Sequence, residues 1–103
     1  MIMRWIALAA AGLLPGLTAA QDAQALHVAS LAATCANCHG TQGRAVDGSV
    51  VPGLAGMPRD YMSTQLKAFK SGGRPATIMH QLSKGYSDAQ IEQLATYFAA
   101  QKK

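Results

Sequence analysis

Cys35-Ala36-Asn37-Cys38-His39 puts two thiols and an imidazole within one short stretch. Residues three and four apart share a face on a turn of helix. On such a turn, Cys35 and Cys38 reach the two vinyl groups on one edge of a porphyrin and form thioethers with them. His39 follows and projects its imidazole under the iron. Moving either cysteine by one position would turn its thiol away from the ring. The C-x-x-C-H order is therefore that of covalent haem attachment, and it implies one haem c. Two other chemistries use the same residue types. A redox dithiol needs a strand ahead of the motif. A zinc site could draw its fourth ligand from His27 or His80, but the second close ligand pair usual in structural zinc sites is missing.

A haem iron with histidine on one side has a sixth position, and its occupant separates an electron carrier from an enzyme or a gas sensor. The candidates are Met57, Met62, Met79, His27 and His80. His27 lies in the segment leading into the motif, on the His39 side of the ring. Met62 shares an apolar stripe with Leu66 and Phe69, where core packing explains it, and Met57 sits at the lip of a helix. Met79 is different. Pro75 biases its surroundings towards an extended path, and Thr77-Ile78-Met79 shows no helical stripe to bury a flexible thioether. Met79 is the expected ligand, with His80, or an open iron and Met79 in packing, as alternatives. Thioether opposite imidazole raises the reduction potential and blocks small-molecule chemistry at the iron, which suits electron transfer.

A haem-bound histidine usually donates its second ring N–H to a carbonyl, which fixes ring orientation and basicity. Pro52, in Pro52-Gly53-Leu54-Ala55-Gly56, is the expected acceptor for His39; the alternative is an ordinary turn. Tyr61, Lys67 and Arg74 are candidates for haem propionate contacts, with surface solvation the simpler reading.

Three helices must position these groups. From Asp22 to about Cys35, Leu26, Ala29, Ala33 and Val28, Leu31, Ala32 recur at helical spacing. A second helix starts at Pro58 and stops at Gly72-Gly73. The third is marked by a Ser87/Gln90 capping box, Asp88 in its first turn, and Ile91, Leu94, Ala95 and Phe98 on one face. Two long loops, 40–57 and 72–86, connect them, and nothing alternates as a strand does. The expected architecture is all-α, with the loops wrapped around the cofactor.

Residues 1–20 read as a separate export signal. Met1–Arg4 is a positively charged start, Trp5–Leu14 an apolar run, and small residues before Ala20 suit a signal peptidase. A permanent anchor needs about 20 apolar residues, roughly twice this run. Cleavage near Ala20 would leave residues 21–103 as one domain in the periplasm, with no permanent membrane insertion. The chain carries a formal charge of +4, and Lys67, Lys70 and Arg74 lie close together. That charge is too small, and too little interleaved with aromatics, for nucleic acid binding. A docking face for an acidic protein partner is the sharper reading of the basic residues, and a solvated surface the plainer one.

The order of helix, CANCH motif, Pro-x-Leu-x-Gly loop, middle helix, methionine loop and final helix with Tyr97 resembles a class I cytochrome c. In that fold the first and last helices cross, so Leu31 should meet Leu94 and Tyr97. Lys70-Ser71-Gly72-Gly73-Arg74-Pro75-Ala76-Thr77-Ile78-Met79, continued by Lys84-Gly85-Tyr86-Ser87-Asp88, is similar to the cytochrome subunit of flavocytochrome c sulfide dehydrogenase. That resemblance implies a non-catalytic electron-transfer subunit, an FAD-containing flavoprotein partner that oxidises sulfide, and a soluble electron acceptor. A free diffusible carrier of the c553 or c4 kind, delivering to a terminal oxidase, shares nearly all these features. Unlike the two-haem members, this chain has a single C-x-x-C-H, and it has no glycine-rich dinucleotide fingerprint.

Overall fold

The computed structural model describes the backbone of residues 16–103 and the side chains of residues 18–103. The charged start and apolar run of the expected export signal lie outside the described residues. Among the described residues the elements are α1 (Gly16–Ala33), α2 (Ala36–His39), a 3-10 turn (Thr41–Gly43), α3 (Arg59–Ser71), α4 (Met79–Lys84) and α5 (Asp88–Ala99), with no strand. The all-α expectation is borne out, with α1, α3 and α5 as its three main helices.

α5 is the centre of the core. Ser87 adopts an extended conformation, and its hydroxyl accepts from the Gln90 N–H while the Gln90 side chain accepts from the Ser87 N–H. This reciprocal cap satisfies two amides that the first turn would otherwise leave without partners. The helix then buries Ile91, Leu94, Ala95 and Phe98 to 1% exposure or less. Burial of each large apolar side chain contributes about 1.5–3 kcal/mol. α3 supplies Met62 and Leu66 to the same cluster, and α1 supplies Ala32. Pro58 caps α3 from outside rather than occupying its first turn, and Gly72, at φ +84°, ends it in the left-handed conformation.

α1 starts earlier than expected and runs unbroken through Ala20. Thr18 to His27 are all exposed, and burial begins only at Val28. Leu26, expected on the apolar stripe, is 68% exposed. Gln21, Gln24, Ala25 and Val28 are the α1 residues lining the groove against α5. That spacing of three and four turns Leu26 to another side of the helix. Leu31 packs partly buried against the core cluster that contains Leu94, alongside Tyr97.

The expected long loop at 72–86 is also corrected, because Met79–Lys84 forms α4. Ile78, Met79 and Leu82 share three- and four-residue spacing, a pattern too short to stand out in a sequence window. α4 packs on α3 and buries Ser83 completely.

The first loop is stitched to the core at several points. The Gly43 carbonyl accepts from the Leu54 and Ala55 amides at 2.8 and 3.1 Å, and the Gly56 amide donates to the Phe98 carbonyl at 2.8 Å. Arg44 Nε donates to the Lys102 carbonyl at 2.8 Å, so the segment after α5 is tied to the same loop. Gly43 has φ +77°, and a Cβ there would lie 2.8 Å from both the Ala55 nitrogen and Phe98 Cδ1. Close approach and backbone conformation both call for glycine here.

Candidate cofactor site

Between the first loop, α3, α4 and the end of α1 lies a cavity of about 600 Å³. Cofactor sites typically occupy about 300–1,000 Å³ and are lined mainly by apolar side chains. Here the lining includes Leu54, Met62, Leu66, Phe69, Ile78 and Leu94. Cys35, Cys38 and His39 reach it from one side, Pro52 from the first loop, and Met79 from the first turn of α4.

α2 is the single helical turn that the C-x-x-C-H spacing calls for. Cys35 stands at its start in helical conformation, and the His39 amide donates to the Cys35 carbonyl at 3.0 Å. Cys35 and Cys38 form no disulfide with each other. Burial pushes the Cys35 thiol above its ordinary pKa, and hydrogen bonds with the Thr34 and Tyr86 side chains oppose the shift. Thr34 Oγ1 is within hydrogen-bond distance of the Leu31 carbonyl, at 2.7 Å, and of the Tyr86 hydroxyl, at 3.1 Å. The chain Tyr86 to Thr34 to Leu31 thus joins the segment before α5 to the end of α1, beside Cys35.

His39 Nδ1 lies 2.6 Å from the Pro52 carbonyl oxygen. A carbonyl can only accept, so Nδ1 carries the hydrogen, which in the neutral ring leaves the Nε2 lone pair for a metal. Met79 is half-buried against the core cluster and lines the cavity. Met57 and Met62 also line it, the first half-buried and the second only 3% exposed. His27 and His80 do not line it; His27 is exposed, and His80 Nδ1 is buried with no hydrogen-bond partner among the described residues.

The three propionate candidates separate. Tyr61 and Arg74 line the cavity. Lys67 instead donates to Glu92 Oε1 at 2.7 Å. Glu92 also receives Ser63 Oγ and, at 2.8 Å, Arg59 Nη2, making it a strut between α3 and α5. The lysine's hydrogen bond, then that of Ser63, hold the Glu92 carboxyl below its usual range, and the same contact raises Lys67. Gln65 and Tyr86 on the cavity lining escaped the sequence reading; only the four-residue step from Tyr61 to Gln65 and Phe69 hinted at the former.

Among the described residues no group of three or more His, Cys, Asp or Glu is placed to hold a metal ion, and neither His27 nor His80, the fourth ligand that the zinc reading needs, lines the cavity. The dithiol reading loses its strand. An apolar cavity, two cysteines one turn apart, an imidazole whose Nδ1 is held by a carbonyl and a neighbouring thioether fit an iron porphyrin.

Comparison with known proteins agrees with that chemistry. The family model described as Cytochrome c matches residues 25–102. The chain is 41% identical over 68 residues to the cytochrome subunit of sulfide dehydrogenase from Chlorobaculum tepidum, covering 66% of this chain and 60% of that protein. It is 39% identical over 71 residues to the thiosulfate dehydrogenase electron acceptor of Thiomonas intermedia, covering 69% of this chain and 33% of that one. Cytochrome c-554(548) of Halomonas halodenitrificans is 33% identical over 72 residues, with 67% of this chain and 86% of the relative covered. The chain therefore spans 60% of the length of the first of these relatives and about a third of the second.

Proposed function

This chain belongs to the cytochrome c family and carries covalently bound haem c, and from that premise we propose that it serves a flavoprotein sulfide dehydrogenase as its electron-transfer subunit. Bound haem supplies a one-electron iron couple. Cys35 and Cys38 would hold it as thioethers, and His39 would offer Nε2, with its proton kept at Nδ1 by the Pro52 carbonyl. Met79, which lines the same cavity, would offer its thioether sulfur to the iron. The single observation that carries the assignment is the imidazole–carbonyl pair set in an apolar cavity that Met79 also lines. An imidazole and a thioether together would leave no open position for small ligands.

The flavoprotein partner is supported by the likeness to the Chlorobaculum tepidum subunit and by the methionine-loop residues 70–79. Electrons would leave to a soluble acceptor. Export to the periplasm, with cleavage near Ala20, is compatible with the exposure of Thr18 to His27, since losing the first of these strips nothing from the core. No helix among the described residues is long and apolar enough to cross a membrane. The test is co-purification of the exported protein with a flavin-containing polypeptide, and reduction of its haem by sulfide in their presence. A haem-bearing monomer that sulfide and that polypeptide leave oxidised would instead support a free carrier. The broad coverage of the Halomonas halodenitrificans cytochrome favours that second reading.

A further inference from the structure

Met79 is carried by a segment that is tied down only at its ends. Among the described residues, residues 75–85 make no hydrogen bond to α1, α3 or α5, and the bonds inside the segment run along α4 itself. The two buried polar side-chain atoms of α4, His80 Nδ1 and Ser83 Oγ, have no partner there. Packing is thin as well. Ser83 is the only fully buried residue of α4, while Ile78 and Leu82 are 56% and 47% exposed. Ahead of the segment, the Arg74 amide donates to the Ala68 carbonyl at 3.2 Å. Behind it stands Tyr86.

Tyr86 is held in three ways. Its side chain packs partly buried against the core cluster, its carbonyl accepts from Lys70 Nζ at 2.6 Å, and its hydroxyl lies 3.1 Å from Thr34 Oγ1. Thr34 lies 2.7 Å from the Leu31 carbonyl and directly precedes Cys35. The hydroxyl is therefore the tie that reaches the segment bearing Cys35, Cys38 and His39. The Tyr86 amide donates to the Ser83 carbonyl at 3.2 Å, so what holds Tyr86 also holds the end of α4. Ser83 and Met79 are about one helical turn apart.

We propose that Tyr86, through its hydroxyl at Thr34, is a positioning residue for Met79, latching α4 to the haem-attachment segment so that the thioether stays over the iron. This rests on the reading of Met79 as iron ligand. Two ligands on separate chain segments stay in register only while those segments are joined. Tyr86 itself takes no part in ligating the iron. When the latch is undone, α4 opens locally while the core around α5 stays closed. A competing ligand then binds in proportion to the open fraction. Losing one hydrogen bond of ordinary net strength raises that fraction about three- to tenfold.

The test uses the haem-loaded protein, with imidazole titration of the ferric form and amide hydrogen exchange as readouts. Y86F keeps the ring and removes only the hydroxyl. It is expected to bind imidazole about three- to tenfold more tightly and to speed exchange at the α4 amides by the same factor, leaving Ile91 to Phe98 unchanged. T34V should match it, and T34S should restore wild-type behaviour. In an M79A background, Y86F should add nothing, because there is no thioether left to displace. Wild-type affinity and exchange in Y86F overturn the latch alone. So does an equal gain from Y86F with and without Met79, or the same gain in E92Q, which loosens α3 from α5. M79A with wild-type imidazole affinity overturns the ligand reading together with the latch.

Discussion

The Nδ1 atom of His39 and the carbonyl oxygen of Pro52 are 2.6 Å apart, although the loop between them contains no regular element beyond one 3-10 turn. What holds that loop is Gly43, whose carbonyl accepts two amides from Leu54 and Ala55. Gly43→Ala combines left-handed backbone strain with overpacking against Ala55 and Phe98, for a loss of about 2–4 kcal/mol. Chemical denaturation would measure it. The potential of the surviving holoprotein should shift too, because the Pro52 carbonyl is displaced from the imidazole.

Met79→Ala should leave the haem attached, lower its potential and let carbon monoxide bind the ferrous protein. Met57→Ala, on the same cavity lining, and His80→Ala should leave carbon monoxide binding unchanged. The comparison is a simple optical titration. Tighter binding in either control, and none in Met79→Ala, would remove Met79 as ligand.

Glu92 makes stability depend on acid. Its carboxyl pKa is depressed by Lys67 and Ser63, so the charged form is the one the fold favours. The stability it contributes is present above the ordinary carboxyl pKa and is lost as pH falls through the depressed value. Thermal unfolding of wild type and Glu92→Gln should therefore differ at neutral pH and converge in acid. A constant difference across the whole range would place the effect elsewhere.

Ser87→Ala removes the hydroxyl half of the capping box on the helix that carries most of the core. The expected cost is about 0.5–2 kcal/mol in denaturant unfolding. Ser87→Asn should recover most of it, since the loss is one of capping and not of packing.

How much was legible follows from the range of each interaction. The buried face of α5, its cap and the glycine stop of α3 are written in residues four or fewer apart, and the structure shows all of them. α4 was missed because six residues give periodicity too little length to register. Leu26 was misplaced because helical spacing reports that a stripe exists, and not where the partner helix lies. Lys67 was left among the propionate candidates because its partner is 25 residues away.

The sequence alone determined the covalent chemistry on offer, since two thiols and an imidazole at that spacing depend on nothing beyond one helical turn. It also determined the all-helical class, through local spacing, caps and stops. Tertiary structure decided which side chains face the cavity. Tyr86 reaches Thr34 across 52 residues, and Arg74 rather than Lys67 lines the cavity. Such choices arise from chain closure and from competition among charges for the same few acids, and neither is encoded within a local window.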